Sequence, residues 1–502
     1  MTLAPVWRTR IYAAGAAVVA VWLGSAIAQQ ELFWPMLCLG VFAGLLLMQW
    51  QPLPVGTVLL GAAVFGYIVG NRGFAQISAS TTLPLLPAEL VLLVGLVILL
   101  VQSAFRGELP FRRDVLNLAL LVWIVLGAGR MFFDFRQYGF NALRDFATVY
   151  YVLFFFLAQE AAKNEPSRRF LHGCLLGSCL LLLVIQPLYE QFPRFFLEIL
   201  TFRQIPVIFY KGDLVGTFLG VGTVMFFLRF EERRKWWMLP VSLALLAGTL
   251  TSNNRSSMFG LAVVTILLLI CGKWRFAAVQ FMAGAGAVLV ILLATQIINV
   301  SWEKTPLHGA YERIVSLSDP FGERRYSGED TASKGDNNRF RAVWWRSVID
   351  ETVEANPYLG LGFGYDLAGR FVRQYYPDLV DEFYTRSPHN VLLTIFGRMG
   401  VVGLAPFLFM AGLSVVRTVQ SARRGISRCT ALWCSVVVIL VSACFGVVLE
   451  GPMGAVVFWT VLGLANADRP GEIPVRDAAD ADPAASADLL PAQPVDEVRT
   501  PP

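Results

Sequence analysis

The chain has 502 residues, 56% of them hydrophobic and 15% charged, with a mean hydropathy of +0.58, whereas soluble domains carry about 25% charged residues. A soluble enzyme is excluded, and at roughly 20 residues per crossing the apolar content is consumed by about fourteen membrane spans, one sizeable loop and a tail. The net charge of +5, from 41 Lys and Arg against 36 Asp and Glu, is too small to bind nucleic acid by bulk charge.

In chain order, Arg8 and Arg10 precede an apolar run that starts near Ile11. Because further spans follow at once, this start reads as an uncleaved first helix rather than a signal peptide. Apolar stretches of helical length lie at about 11–28, 32–49, 53–70, 83–104, 114–133, 145–162, 170–189, 209–228, 236–251, 256–272, 276–299, 389–416, 429–449 and 452–467. They predict an all-α polytopic membrane protein with about 12–14 transmembrane helices and one long loop. All seven cysteines lie in or at the ends of apolar runs without metal-ligand spacing, so disulfides and structural zinc are not expected.

With the N-terminus inside, the short inner connections carry sixteen basic residues, among them Arg106, Arg168, Arg229, Lys273 and Arg428, against eight in the outer ones. The positive-inside rule then puts both termini in the cytoplasm and the loop at about 300–388 on the far side. The expected organisation is 1–299 for the first helices, 300–388 for the outer loop, 389–467 for the last helices and 468–502 for a tail. That tail, rich in Ala, Pro and Asp, cannot bury enough apolar surface to fold. The outer loop mixes aromatics such as Trp302, Tyr311, Tyr326, Trp344, Trp345, Tyr375 and Tyr376 with eleven basic residues, so it can fold against the membrane domain. Within it, RAVWWRSVIDETVEANP predicts an amphipathic helix closed by Asn356-Pro357, followed by the glycine turn LGLGFGY.

The polar residues are lopsided. A transporter keeps ionisable groups near the bilayer midplane, but here Glu89, Arg130, Asp134, Arg144, Asp145, Glu190, Lys211, Asp213, Arg255 and Glu450 all fall at or near outer helix ends. Arg398, about nine residues into a span beginning at His389, lies roughly 13 Å along a regular helix, the deepest of the set. Arginines at such positions suit an anionic group in the outer leaflet, because the planar fork matches phosphate oxygens. A lipid-linked pyrophosphate fits, and so does an anionic phospholipid headgroup.

Three segments stand out. In LTSNNRSSMFGL, Arg255 stands where an outer turn meets an apolar helix, as a ligand contact or an interfacial anchor. In NNRFRAVWWRSVIDETVEANPYLGLGFG, Arg339 and Arg341 precede the glycine turn; Arg341 and Trp345 share a helix face. Gly360, Gly362 and Gly364 make a GxGxG run that is no dinucleotide fingerprint without its strand and helix. In SPHNVLLTIFGRMGVVG, Ser387-Pro388 is expected to start a helix with His389 and Asn390 at the membrane surface. There a histidine takes up a proton near neutral pH or serves as a hydrogen-bonded helix-entry residue. Gly400 and Gly403 permit close helix packing.

The His-Asn pair, nine residues, then Gly400-x-x-Gly403 resembles the signature of bacterial O-antigen ligases and O-antigen polymerases. The Arg341 to Gly364 run and the outer Arg255 fit the same pattern, over about 200–465. The resemblance implies a metal-independent, inverting glycosyltransferase of the inner membrane with no cofactor. Its donor is a glycan on undecaprenyl pyrophosphate and its acceptor lipid A core or a second lipid-linked glycan, met at the periplasmic face among membrane lipids. By resemblance Arg255 and Arg341 contact the pyrophosphate and His389 orients or deprotonates the acceptor hydroxyl. Arg339 is an alternative to Arg341, and Arg203, Lys211 and Arg398 are further donor contacts. An exopolysaccharide polymerase using the same donor is an alternative within the family, and the competing class is a lipid-linked oligosaccharide flippase or other transporter, in which His389 and Arg255 need not share one outer-facing site.

Overall fold

The computed structural model describes residues 53–78, 86–252, 254–298, 329–379 and 386–468, with a few single positions besides. The predicted spans at 11–28 and 32–49, the loop aromatics Trp302, Tyr311 and Tyr326, and the tail beyond Asp468 lie outside the described residues.

Every other predicted span falls on helix, because an apolar segment in lipid must satisfy its backbone internally. The helices run α1 (Val55–Val69), α2 (Asn71–Gln76), α3 (Pro87–Arg106), α4 (Val115–Tyr138), α5 (Phe140–Tyr150), α6 (Leu153–Ala161) and α7 (Glu165–Gln191). Then come a small hairpin pairing Thr201–Phe202 with Ile205–Pro206, α8 (Gly212–Arg233), α9 (Met238–Thr251), α10 (Arg255–Ile270) and α11 (Trp274–Ile298). The long connection holds α12 (Glu329–Ala355) and α13 (Gly369–Tyr375), and α14 (Val391–Arg424), α15 (Arg428–Ala443) and α16 (Pro452–Ala467) complete the bundle. Six of these segments, α3, α4, the α5–α6 pair, α7, α8 and α14, are long and apolar enough to cross a bilayer. The protein is an all-α multi-pass membrane protein.

Local chemistry sets the ends. Asp114 caps α4 by accepting from the Asn117 N–H at 2.9 Å, and Pro87 and Pro452 occupy first turns where no N–H is needed. Gly107, with φ of +64°, ends α3. The run predicted at 145–162 is two helices that meet near Tyr151, and the run at 429–449 stops being helical at Ala443. Helix α8 is buried on nearly all sides, as are α15 and α16, so these three form the centre while α3 and α4 present apolar faces outward. Gly216 allows the tight approach of α8 to α10, because a Cβ there meets Ser252 Oγ at 2.6 Å and Ser257 Oγ at 2.8 Å.

The long connection packs through its own apolar cluster of Trp344, Val348, Leu367, Ala368, Phe371 and Val372. Trp344 stacks on Phe371 and its Nε1 donates to Leu367 O at 2.9 Å. The Asn356 side chain turns the chain after α12, accepting from the Tyr358 and Leu359 N–H groups at 3.1 and 3.0 Å. The glycine turn then docks on α14. Leu361 N donates to Gly397 O at 2.6 Å, Gly362 N to Arg398 O at 3.2 Å, and Val401 N donates back to Pro357 O at 2.9 Å.

This exchange is possible because α14 is not one regular helix. Gly400 has φ 60° and ψ −158°, a conformation confined essentially to glycine, which frees the carbonyls before it for the turn. A Cβ at Gly400 lies 2.3 Å from the Tyr358 carbonyl carbon. Gly400→Ala is therefore expected to destabilise the protein by at least about 1–3 kcal/mol from the backbone alone. A melting temperature in detergent equal to wild type contradicts this account of the kink.

Candidate functional site

One end of the bundle gathers four starts and turns: the first residues of α8, α10 and α14, and the α15–α16 hairpin at 444–451. Helices α10, α15 and α16 have 16 residues each, about 24 Å of rise against a hydrocarbon core of about 30 Å. Helix α12 meets this end through Asn338, Arg341 and Trp345, which contact Arg255 and Phe445.

Arg255 opens α10 directly after Asn254, which caps the helix by accepting from the Ser256 N–H at 3.0 Å. The Asn254 amide also donates to Asp213 O at the start of α8. The Arg255 guanidinium donates through Nη2 to Asn338 Oδ1 on α12 at 2.8 Å. One turn along α12, Arg341 Nη1 donates to Phe445 O in the hairpin at 2.8 Å. That acceptor is a neutral carbonyl, so it orients the guanidinium without cancelling its charge. Burial and the neighbouring Arg255 charge lower the Arg341 pKa from its ordinary value, while Asp213 pulls the other way. An anion seated between the guanidiniums relieves both costs.

Lys211, immediately before α8, places Nζ 3.5 Å from Asp213 Oδ2 and 3.5 Å from Val447 O. Asp213 Oδ2 also accepts the Val447 N–H at 3.2 Å. His389 precedes α14 in the left-handed region, with φ of +56°. Its imidazole meets the Trp344 ring edge-on at 6.0 Å, and the neighbouring Pro388 O accepts from Trp345 Nε1 at 2.7 Å. Burial first, then the Arg341 and Lys211 charges, lower the His389 pKa to about 4. It is neutral at neutral pH, and a neutral imidazole accepts a proton. Its half-buried position near two cations thus disfavours the protonated form.

The predicted site residues separate into two groups. Arg255, Arg341, Lys211 and His389 come together. Arg339 is exposed on α12, and Arg203 lies in the exposed turn of the small hairpin with its guanidinium 5.2 Å from the Phe202 ring. Arg398 is engaged elsewhere: it is 4% exposed and its Nη1 donates to Asp145 Oδ2. The 13 Å depth assumed for it supposes a regular helix from His389, whereas α14 starts at Val391, capped by Asn390, and breaks at Gly400. Arg398 therefore belongs to the short helical segment that precedes the kink.

The glycine turn is likewise fully occupied. Phe363 N donates to Asp134 Oδ2 at 2.7 Å and Gly364 N to Asp145 Oδ2 at 3.0 Å. Arg130 Nε joins Asp134 Oδ2 at 3.0 Å, and a Cβ on Gly362 meets both partners within 2.8 Å. Its N–H groups hold α4, α5 and α14 together instead of cradling a phosphate. Asp213, Asn254, Asn338, Ser387 and Glu450 are the site's less legible members. The carboxylates of Asp213 and Glu450 are visible in sequence as outer-end charges, but their partners are remote in the chain. Burial raises the Glu450 pKa to about 7, against the pull of the Thr394 hydroxyl and of Lys211.

Residues 240–410 match the family model described as O-Antigen ligase. No curated protein matches the chain. The matched segment contains Arg255, Arg341 and His389 together with the glycine turn and the Gly400 kink, and leaves out Lys211 and the α15–α16 hairpin.

Proposed function

We propose, on the premise that this chain is of the O-antigen ligase and polymerase family, that it moves a glycan from undecaprenyl pyrophosphate to an acceptor hydroxyl at the Arg255–Arg341–His389 end of the bundle. The observation that carries the reading is the cluster in which Arg341 neighbours both Arg255 and His389, with Lys211, paired to Asp213, also acting on the imidazole. This end faces the periplasm of the inner membrane, with both termini in the cytoplasm, as the excess of Lys and Arg at the opposite end indicates.

The donor pyrophosphate lies between the Arg255 and Arg341 guanidiniums, with Lys211 as a third positive charge. As the bond from the anomeric carbon to the phosphate oxygen breaks, the electron pair stays on the pyrophosphate, where these cations stabilise it in a partly dehydrated site. The acceptor hydroxyl attacks from the opposite side of the sugar, forms the new glycosidic bond and gives its proton to the His389 imidazole. A single displacement of this kind inverts the anomeric configuration. The positive charge it demands comes from side chains, which is the basis for reading the transfer as metal-independent.

Lipid A core is the first-choice acceptor and a second lipid-linked glycan the alternative. A reconstituted assay with purified protein and an undecaprenyl-pyrophosphate glycan separates them by product size. Discrete transfer to lipid A core identifies a ligase, a ladder from donor alone identifies a polymerase, and no product with either refutes both. The gathering of His389 and Arg255 around Arg341 favours transfer over the flippase reading, which does not need them in one site.

The pH dependence follows from the same geometry. In the free protein His389 is neutral above about pH 4, so its own titration places the acid limb of kcat/KM, which reports the free enzyme, near that value. Lys211→Ala removes a like charge, so the His389 pKa rises and the acid limb moves to higher pH. The anionic donor acts in the same direction, so the limb in kcat lies above that in kcat/KM. Limbs that coincide, and that Lys211→Ala leaves in place, contradict the assignment of His389 as the titrating base.

A further inference from the structure

Glu450 stands in the α15–α16 hairpin two residues before Pro452. Its Oε1 accepts the Thr394 hydroxyl of α14 at 2.5 Å, and its Oε2 accepts the Ser387 hydroxyl. Ser387 Oγ in turn accepts the backbone N–H of His389 at 3.3 Å. A hydroxyl has one proton, and its donation to the carboxylate leaves the oxygen lone pairs directed at the His389 amide. The carboxylate thus ties the segment before α14 to the first turn of α14 itself.

That tie matters because His389 is held in an unusual conformation. A residue with a side chain persists at φ of +56° only where its surroundings over-determine it. Trp345 fixes Pro388 O at 2.7 Å and Trp344 flanks the imidazole, yet both contacts come from the α12 side. The Ser387–Glu450 link fixes the turn from the opposite side, through the hairpin whose Phe445 carbonyl also orients Arg341.

We propose that Glu450 is a positioning residue for glycan transfer: its carboxylate fixes the Ser387 hydroxyl, which fixes the left-handed turn that aims the His389 imidazole. The proposal rests on the reading of His389 as the base, and it extends the site to a hairpin beyond the family-matched segment. Glu450 reaches the reaction only through Ser387 and His389.

The test uses the full chain in nanodiscs, labelled with ¹⁵N-histidine. There are 3 histidines, so the spectrum holds three backbone amide signals, and His389→Ala identifies the one of interest. Ser387→Ala and Glu450→Ala are both expected to shift the His389 amide, and the double variant to shift it no further than Ser387→Ala alone. Glu450→Gln keeps a hydrogen-bonding group in the same space and stays near wild type. In transfer assays Glu450→Ala loses about 10²-fold in kcat, the scale of a 1 Å misplacement, with the donor KM within about twofold of wild type. Glu450→Gln recovers most of that loss. A His389 amide that ignores Glu450→Ala, or kcat losses that add in the double variant, overturns the proposal. A wild-type rate for His389→Ala overturns instead the underlying reading of His389, so the two failures are distinct.

Discussion

Replacing His389 with alanine is expected to lower kcat by about 10²–10⁴-fold, the range for loss of a general base, while the donor KM changes little. The split follows from the geometry. The imidazole has Trp344, Arg341 and Lys211 as its neighbours. Its removal takes away the proton acceptor and leaves the guanidiniums in place. The substitution also removes a side chain from a position with φ of +56°, which alanine tolerates no better than histidine. Some stability is lost with it, so kcat is compared on matched amounts of folded protein, where a folded but slow protein is the predicted phenotype. An unchanged kcat makes His389 a helix-entry residue only; a rise in donor KM with kcat intact makes it a binding group.

The second large effect belongs to Arg341. Arg341→Ala should reduce kcat/KM by about 10²–10³-fold, the cost of removing one preorganised group that stabilises developing negative charge. Arg341→Lys is expected to restore only a small part, because an ammonium lacks the planar fork that can hold Phe445 O with one nitrogen and offer the other to an anion. The residual activity carries an independent signature. Loss of the Arg341 charge raises the His389 pKa from about 4, so the acid limb of Arg341→Ala moves upward in pH. Purely structural damage lowers the rate without moving that limb. A variant with normal kcat/KM and an unmoved limb removes Arg341 from the donor site.

The apolar runs were legible in the sequence because lipid leaves a buried backbone few options other than helix. The site residues nearest the matched motifs were legible for a similar reason: Arg255, Lys211 and His389 stand at helix starts, where hydropathy changes abruptly. Hydropathy fails where loop and helix are equally apolar. The segment Phe445–Leu449 reads as more of α15, yet it is the turn that supplies the Phe445 and Val447 carbonyls to Arg341 and Lys211. A glycine inside a helical pattern likewise does not announce its φ. Gly400 reads as a small packing residue, whereas its positive φ breaks α14 and sets Arg398 above the break.

Long-range polar pairs were the least legible of all. Asp134 and Asp145 lie outside the matched segment, and more than 200 residues before the N–H groups of the glycine turn that they hold. Nothing in local spacing couples such positions, so GxGxG reads as a weak ligand motif until its donors are traced. The helices before α8 thus take part in this clasp, tying the glycine turn and Arg398 of α14 to Asp134 and Asp145. Glu450 and Ser387 are a further case, joined across 63 residues.

The most direct measurement is the release of free undecaprenyl pyrophosphate by the purified protein, followed together with glycan transfer for wild type, Arg341→Ala and His389→Ala. One lipid pyrophosphate released for each glycan transferred by wild type, with both processes lost together in the two variants, is the predicted result. Transfer at the wild-type rate by either variant, or transfer with no lipid pyrophosphate released, contradicts the assignment of this cluster as the transfer site.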